Sequence, residues 1–267
     1  MVPRSYLFVP GDRPARFDKA LAAGAHAVIL DLEDAVVPER KVQARAQLAA
    51  WLATASAPVY VRVNPAGTPW HEEDCGLLAS PAVRGVMVPK AEDAAGLQQL
   101  SQRLRPGQDL LPLVETVAGH FAADARAAVP RVSRLAFGSF DFMADSGIEG
   151  DGEELDAVRT HLVLVSRRAG VQPRGDGVSL AIDDAEQLAR DGRRARRFGM
   201  GGKLCIHPKQ VTPVNDGYAP TPQEIAWARK VLDALASGPL GAIAVDGKLV
   251  DRPVALRAEA ILQQATP

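Results

Sequence analysis

The chain has 267 residues, 47% of them apolar, enough for one large buried core or two small ones. Its 31 basic and 32 acidic residues leave a formal net charge of −1, so no global field draws it to nucleic acid or to a membrane surface. No apolar run approaches the roughly 20 residues that span a bilayer, which leaves a soluble globular protein as the expectation.

The first strand candidate, SYLFVPG (5–11), stops at Pro and Gly too soon to be a signal-peptide core, and the chain reads as cytoplasmic. ARFDKALAAGA then sets Phe17, Ala20, Leu21 and Gly24 on one helical side. AVILDLED (27–34), PVYVRVN (58–64) and GVMVPKA (85–91) are further strand candidates, and AEDAAGLQQLSQRL is a helix with Leu97, Leu100 and Leu104 together. LLPLVET (110–116) and RLAFGSFD (134–141) follow, then an acid- and glycine-rich stretch over 142–154 that reads as a mobile lid. EELDAVRTHLVLVSRRAG is a helix closed by Gly170, and DGVSLAI (176–182) and GKLCIHP (202–208) are the last two strand candidates. The basic run Arg193–Arg197 reads as the solvated end of a helix. Cys75 and Cys205 stand far apart and read as free thiols in a reducing compartment.

Eight strand–helix repeats predict a parallel sheet, and the repeat number fits a (β/α)8 TIM barrel over residues 1–215. A doubly wound open sheet is the main alternative. It is weakened because no Gly-x-Gly-x-x-Gly follows the first strand. Residues 216–267 hold a last helix and an extension in which GAIAVDGKLVDRP (241–253) is a hairpin turning at Asp246-Gly247, followed by a helix. This hairpin–helix extension is surplus to the repeats, so it is expected outside the barrel, over its mouth, or on a neighbouring subunit.

Charged residues fall at the C-terminal ends of the strand candidates: Glu33 and Asp34, Arg62, Lys90, Glu115 and Asp141. In a β/α barrel those ends meet on one face, where active sites are built. Each has a plainer use: Glu115 or Asp141 at a helix start, Arg62 in a structural pair with Glu33. Asp31, deeper in its run, reads as a group bonded to backbone or to an arginine. Four acids and two bases in one mouth leave excess negative charge, which favours a cation. Glu115 and Asp141 offer hard oxygen ligands with no His or Cys cluster nearby, which suits Mg²⁺ rather than zinc. Lys90 also admits a rival, a Schiff-base aldolase.

SYLFVPGDRPARFDKA, VILDLEDAV, VRVN, VPKAE, LVET, FGSFDFMADSG and CIHPKQV stand in the order seen in the citrate lyase β-subunit family, and across residues 4–260 the chain resembles it. That group includes malyl-CoA and citramalyl-CoA lyases and belongs with the HpcH/HpaI-type aldolases. The resemblance implies cleavage of a C–C bond in a 3-hydroxyacyl thioester, carried on CoA or an acyl carrier protein, to an oxo acid such as oxaloacetate. It implies that Glu115 and Asp141 hold Mg²⁺, that Arg62 grips the product carboxylate, and that Glu33 and Asp34 orient Arg62. It further implies a homotrimer in which Asp251, in KLVDRP, acts as the acid from a neighbouring subunit; an Asp there also suits a helix cap. Arg13 and Arg16 are expected to bind carrier phosphates or to be solvated loop residues. A thioester hydrolase, a 2-oxo acid aldolase, or a non-catalytic subunit of a lyase complex are the alternatives.

Overall fold

The computed structural model describes residues 2–237 and 243–265. Its central feature is a closed barrel of eight strands in chain order: β1 (Ser5–Pro10), β2 (Ala27–Asp31), β3 (Val59–Arg62), β4 (Val83–Val88), β5 (Asp109–Val114), β6 (Arg134–Phe137), β7 (Gln172–Asp176) and β8 (Gly202–Cys205). Every neighbouring pair is parallel, and β8 closes on β1 through Ser5–Lys203, Tyr6–Leu204 and Leu7–Cys205. An open doubly wound sheet is thereby excluded.

Helices alternate with the strands: α1 (Phe17–Leu21), α2 (Lys41–Leu52), α3 (His71–Cys75), α4 (Ala94–Arg103), α5 (Val117–Phe121), α6 (Ala123–Ala127), α7 (Ser139–Ser146), α8 (Asp156–Arg168), α9 (Ala185–Arg197) and α10 (Val211–Tyr218). Asp93 caps α4 by accepting from the N–H groups of Ala95 and Gly96, and Gly170 follows α8 with φ 71°. The run Arg193–Arg197 forms the last turn of α9, where basic side chains suit the negative end of the helix. Inside the barrel, side chains from successive strands make one packed core of Tyr6, Ile29, Tyr60, Met87, Leu111, Leu113, Ala136 and Leu204.

Two expected boundaries move. The seventh strand is Gln172–Asp176, not 176–182. Its buried Asp176 lies 3.2 Å from Arg159 and 3.9 Å from Lys203, so ionic contacts rather than an apolar run carry this strand into the core. The apolar residues after it sit in a connection where Leu180 is largely exposed. The stretch 142–154 is not a loop throughout, because Phe142–Ser146 belong to α7, which ends at the left-handed Gly147.

The chain divides into two compact units, one over Pro3–Gly217 and one from Tyr218 onward that also takes in Val2. The second contains α11 (Pro222–Ser237), the antiparallel pair β9 (Ile243–Val245) and β10 (Lys248–Val250), and α12 (Arg252–Ala265). Asp246 and Gly247 join the strands with φ of 51° and 72°, as a two-residue hairpin turn requires. Residues 241 and 242 of the expected hairpin segment lie outside the described residues. Ala228, Val231, Val245, Val250, Ala258 and Ile261 form this unit's own core. Among the described residues no helix is long and apolar enough to cross a membrane.

Candidate active site

The barrel mouth is organised around the last residues of β2 and β3, which are paired in register, Asp31 with Arg62. Arg62 donates from Nε to Asp31 Oδ1 at 2.7 Å and from Nη2 to Oδ2 at 2.6 Å, a two-point fork that fixes the guanidinium plane. Asp31 also accepts from the backbone N–H groups of Glu33 at 2.9 Å and Ala35 at 3.3 Å, turning the chain as it leaves the strand. Arg62 Nη1 lies 2.7 Å from Glu33 Oε2 and 3.8 Å from Asp34 Oδ2, and the guanidinium carbon stands 4.7 Å from the centre of the Phe8 ring. Burial alone would discourage the charge on Arg62, but Asp31, Glu33 and Asp34 hold its pKa above the usual value. With Nε and Nη2 spent on Asp31 and Nη1 against Glu33, about two of its five N–H bonds remain for a ligand.

Glu33 is almost fully buried, and burial pushes its carboxyl up to about 7 against the opposing pull of Arg62. Its backbone carbonyl and that of Leu32 accept from the buried Lys41 ammonium at 2.8 and 2.9 Å. Lys90 donates its ammonium to Glu33 Oε1 at 3.2 Å, and Glu33 and its acidic neighbours hold the Lys90 pKa up despite partial burial. A protonated, paired amine is a poor Schiff-base nucleophile, which weighs against the Lys90 aldolase.

Glu115 follows β5 and accepts the Lys90 backbone N–H on Oε1 at 2.7 Å, while its Oε2 is buried without a partner. Burial, then the neighbouring Glu33 and Asp141 carboxylates, push Glu115 up to about 8. Asp141 stands in the first turn of α7, at the solvent-facing rim; loss of hydration and the nearby Asp34 raise its pKa. Gly138, between β6 and α7, leaves the room that Glu115 fills: a Cβ there would fall 2.7 Å from Glu115 Cβ and 2.8 Å from Oε2. Two hard carboxylates whose charges are mutually unfavourable, one with an orphaned oxygen, fit a divalent cation that takes oxygen ligands.

These groups line one cavity of about 240 Å³ in the mouth, shared by Asp31, Asp34, Arg62, Glu115 and Asp141 on its polar side. Phe8, Leu113, Phe137, Val178, Leu204 and Ile206 supply the apolar side. Four of the expected site residues, Asp34, Arg62, Glu115 and Asp141, thus line one cavity, and Glu33 stands behind it, 2.7 Å from Arg62. Arg13 and Arg16 are exposed in the segment after β1, Arg13 lying 3.5 Å from Asp12, and neither lines this cavity. Asp251 lies in the second unit, where its carboxylate accepts from the Val254 N–H at 3.3 Å at the start of α12, in the manner of a cap. Three groups escaped the sequence reading: Lys41, Gly138, and Ser139, a cavity-lining residue whose buried Oγ has no partner. Only Lys41 left a trace, as a lysine on the apolar side of a helix beside Ala44 and Leu48.

The model of the family described as "HpcH/HpaI aldolase/citrate lyase" matches residues 4–208. A "Citrate lyase subunit beta-like protein" of Mycobacterium tuberculosis is 39% identical over 267 residues, covering 97% of this chain and 94% of that protein. A "(3S)-malyl-CoA thioesterase" of Cereibacter sphaeroides is 33% identical, covering 93% and 89%. Among solved structures, the protein CitE from M. tuberculosis in complex with magnesium, acetoacetate and coenzyme A superposes with a TM-score of 0.86 at 37% identity, over 98% of both chains.

Proposed function

The chain belongs to the HpcH/HpaI aldolase/citrate lyase family, and on that premise we propose that it is a Mg²⁺-dependent carbon–carbon lyase. Its substrate is a 3-hydroxyacyl thioester of the citryl, malyl or citramalyl type, cleaved to a 2-oxo acid and an acyl thioester. The observation that carries this reading is the orphaned Glu115 Oε2, set in one cavity with Asp141 and the fork-held Arg62. A related structure holding magnesium, a keto acid and coenzyme A together supports the ligand class.

Glu115 and Asp141 would hold Mg²⁺, which when bound supplies Lewis-acid polarisation of the substrate's hydroxyl and carboxylate. Arg62 directs its remaining N–H bonds to the substrate oxygens, and Asp31 and Phe8 keep the guanidinium from turning as charge develops. Glu33 and Asp34 set the third edge of that orientation. The hydroxyl proton passes to solvent water as the C–C bond breaks, and the thioester leaves as an enolate that takes up a proton in turn. Asp251 of a neighbouring copy in a trimer supplies it, and Arg13 and Arg16 meet the phosphates of a CoA or protein-borne carrier arm in the cytoplasm. The extension from residue 216 onward thereby completes the mouth of another subunit.

A thioester hydrolase is the second reading, favoured by the 33% identity to a malyl-CoA thioesterase. Glu115→Gln tests the metal assignment directly. Mg²⁺ or Mn²⁺ affinity is expected to fall about 10–100-fold with an unchanged far-UV spectrum. Wild-type metal affinity in that variant removes Glu115 from the site.

A further inference from the structure

Lys90 follows β4 with φ 45°, one of three non-glycine residues with positive φ among the described residues. A side chain bearing Cβ is strained there, and such backbone persists where the surroundings hold it, often at functional sites. Asp246 makes the hairpin turn and Arg131 precedes β6; Lys90 alone of the three places its donors on acids of the barrel mouth. Its backbone N–H donates to Glu115 Oε1 at 2.7 Å and its ammonium to Glu33 Oε1 at 3.2 Å. Glu33's other oxygen lies 2.7 Å from Arg62, and Glu115's other oxygen is the orphaned Oε2.

One residue thus ties together two halves of the mouth. With its backbone it holds the carboxylate assigned to the metal, and with its side chain it holds the carboxylate that braces the substrate-gripping arginine. A glycine would present the same N–H without the strain. A lysine at this position makes sense if the ammonium repays that strain. The pair is not a free surface one: the Lys90 side chain is 44% exposed, but the Glu33 side chain it meets is only 4% exposed.

We infer that Lys90 is a positioning residue that sets the spacing between the Glu115–Asp141 pair and Arg62. Its N–H fixes which oxygen of Glu115 stays free, and its ammonium seats Glu33 against the guanidinium. This rests on the lyase reading above, but it is measurable without turnover.

Lys90→Gly keeps the N–H, releases the strain and deletes the ammonium. The expected result is a melting temperature no lower than wild type and Mn²⁺ affinity within about twofold. Binding of pyruvate with saturating Mg²⁺, read by calorimetry, should weaken about 10-fold or more, and thioester cleavage should fall in step. Lys90→Arg should restore both to within a few-fold. Lys90→Ala, which keeps the strain, should share the binding loss but melt below Lys90→Gly. Wild-type pyruvate binding in the glycine variant overturns the inference. So does a loss of pyruvate binding matched by equal losses of Mn²⁺ affinity and melting temperature, which would mark a merely structural role. If the wild-type protein cleaves no thioester while the glycine variant still loses pyruvate binding alone, the lyase reading falls and the role of Lys90 stands.

Discussion

Arg62 is the sole cation among the described residues lining the mouth cavity, and its fit with Asp31 carries both stability and chemistry. Removing one partner of a buried ion pair strands the other, at a cost of about 3–5 kcal/mol. Arg62→Ala is therefore expected to lower the unfolding free energy by about that amount in denaturant titration as well as abolishing turnover. A variant as stable as wild type would mean that Asp31 is satisfied by its backbone donors alone. A second residue-scale expectation concerns His120, half-buried against Phe142 and His161, with its Nδ1 unpartnered. Burial first, then His161, Arg174 and Arg126, push its pKa down to about 4, below the value of an unfolded histidine. The folded state therefore takes up fewer protons than the unfolded state between those two values. Its contribution is present above about pH 6.5 and is lost as pH falls toward about 4. His120→Phe should lose less melting temperature than wild type between about pH 7 and about pH 5. Parallel losses in the two proteins would contradict this. Asp31 was legible from the sequence only as bonded to backbone or an arginine. The register that seats it opposite Arg62 is a pairing across 31 positions, which local pattern does not encode.

At the scale of elements, the junction of β6 and α7 shapes the Glu115–Asp141 pair. Gly138 gives Glu115 its place, and the turn of chain that follows brings Asp141 into the first turn of α7. Gly138→Ala would bring a Cβ within 3.0 Å of Glu115, so the carboxylate must move. The expected outcome is about a 10-fold or greater loss of Mn²⁺ affinity, read by electron paramagnetic resonance, in a protein whose circular dichroism matches wild type. Undiminished affinity would show that Glu115 has room to shift without leaving the site. The strand ends were readable because a buried parallel strand is apolar until it opens onto the mouth, where polar groups suddenly appear. The same logic misplaced β7: Gln172–Asp176 enters the barrel as a polar stretch, its Asp176 compensated by Arg159 and Lys203 from elsewhere in the chain. It also made 142–154 a loop, since glycine and acid content concealed the second half of α7, Phe142–Ser146. The positive φ of Lys90 left no local signal, because lysine, unlike glycine or asparagine, does not mark a left-handed position in a sequence.

For the molecule as a whole, the near-zero net charge hides a sharply uneven distribution: the cavity at the mouth gathers four acids and one arginine against an apolar wall. Eight repeats of strand and helix were enough to read the barrel from sequence, since closure needs only the count and the spacing. The proposed reaction was legible only through the family motifs, because a (β/α)8 barrel hosts many unrelated chemistries. Product identity decides whether this mouth breaks a carbon–carbon bond with Mg²⁺. Purified protein is incubated with malyl-CoA, citramalyl-CoA and citryl-CoA, with Mg²⁺ or with EDTA, and the products are separated by mass spectrometry. The expected products are a 2-oxo acid and acetyl-CoA from at least one of the three, formed only with Mg²⁺. Free CoA beside an intact hydroxy acid, or cleavage undiminished by EDTA, would contradict it.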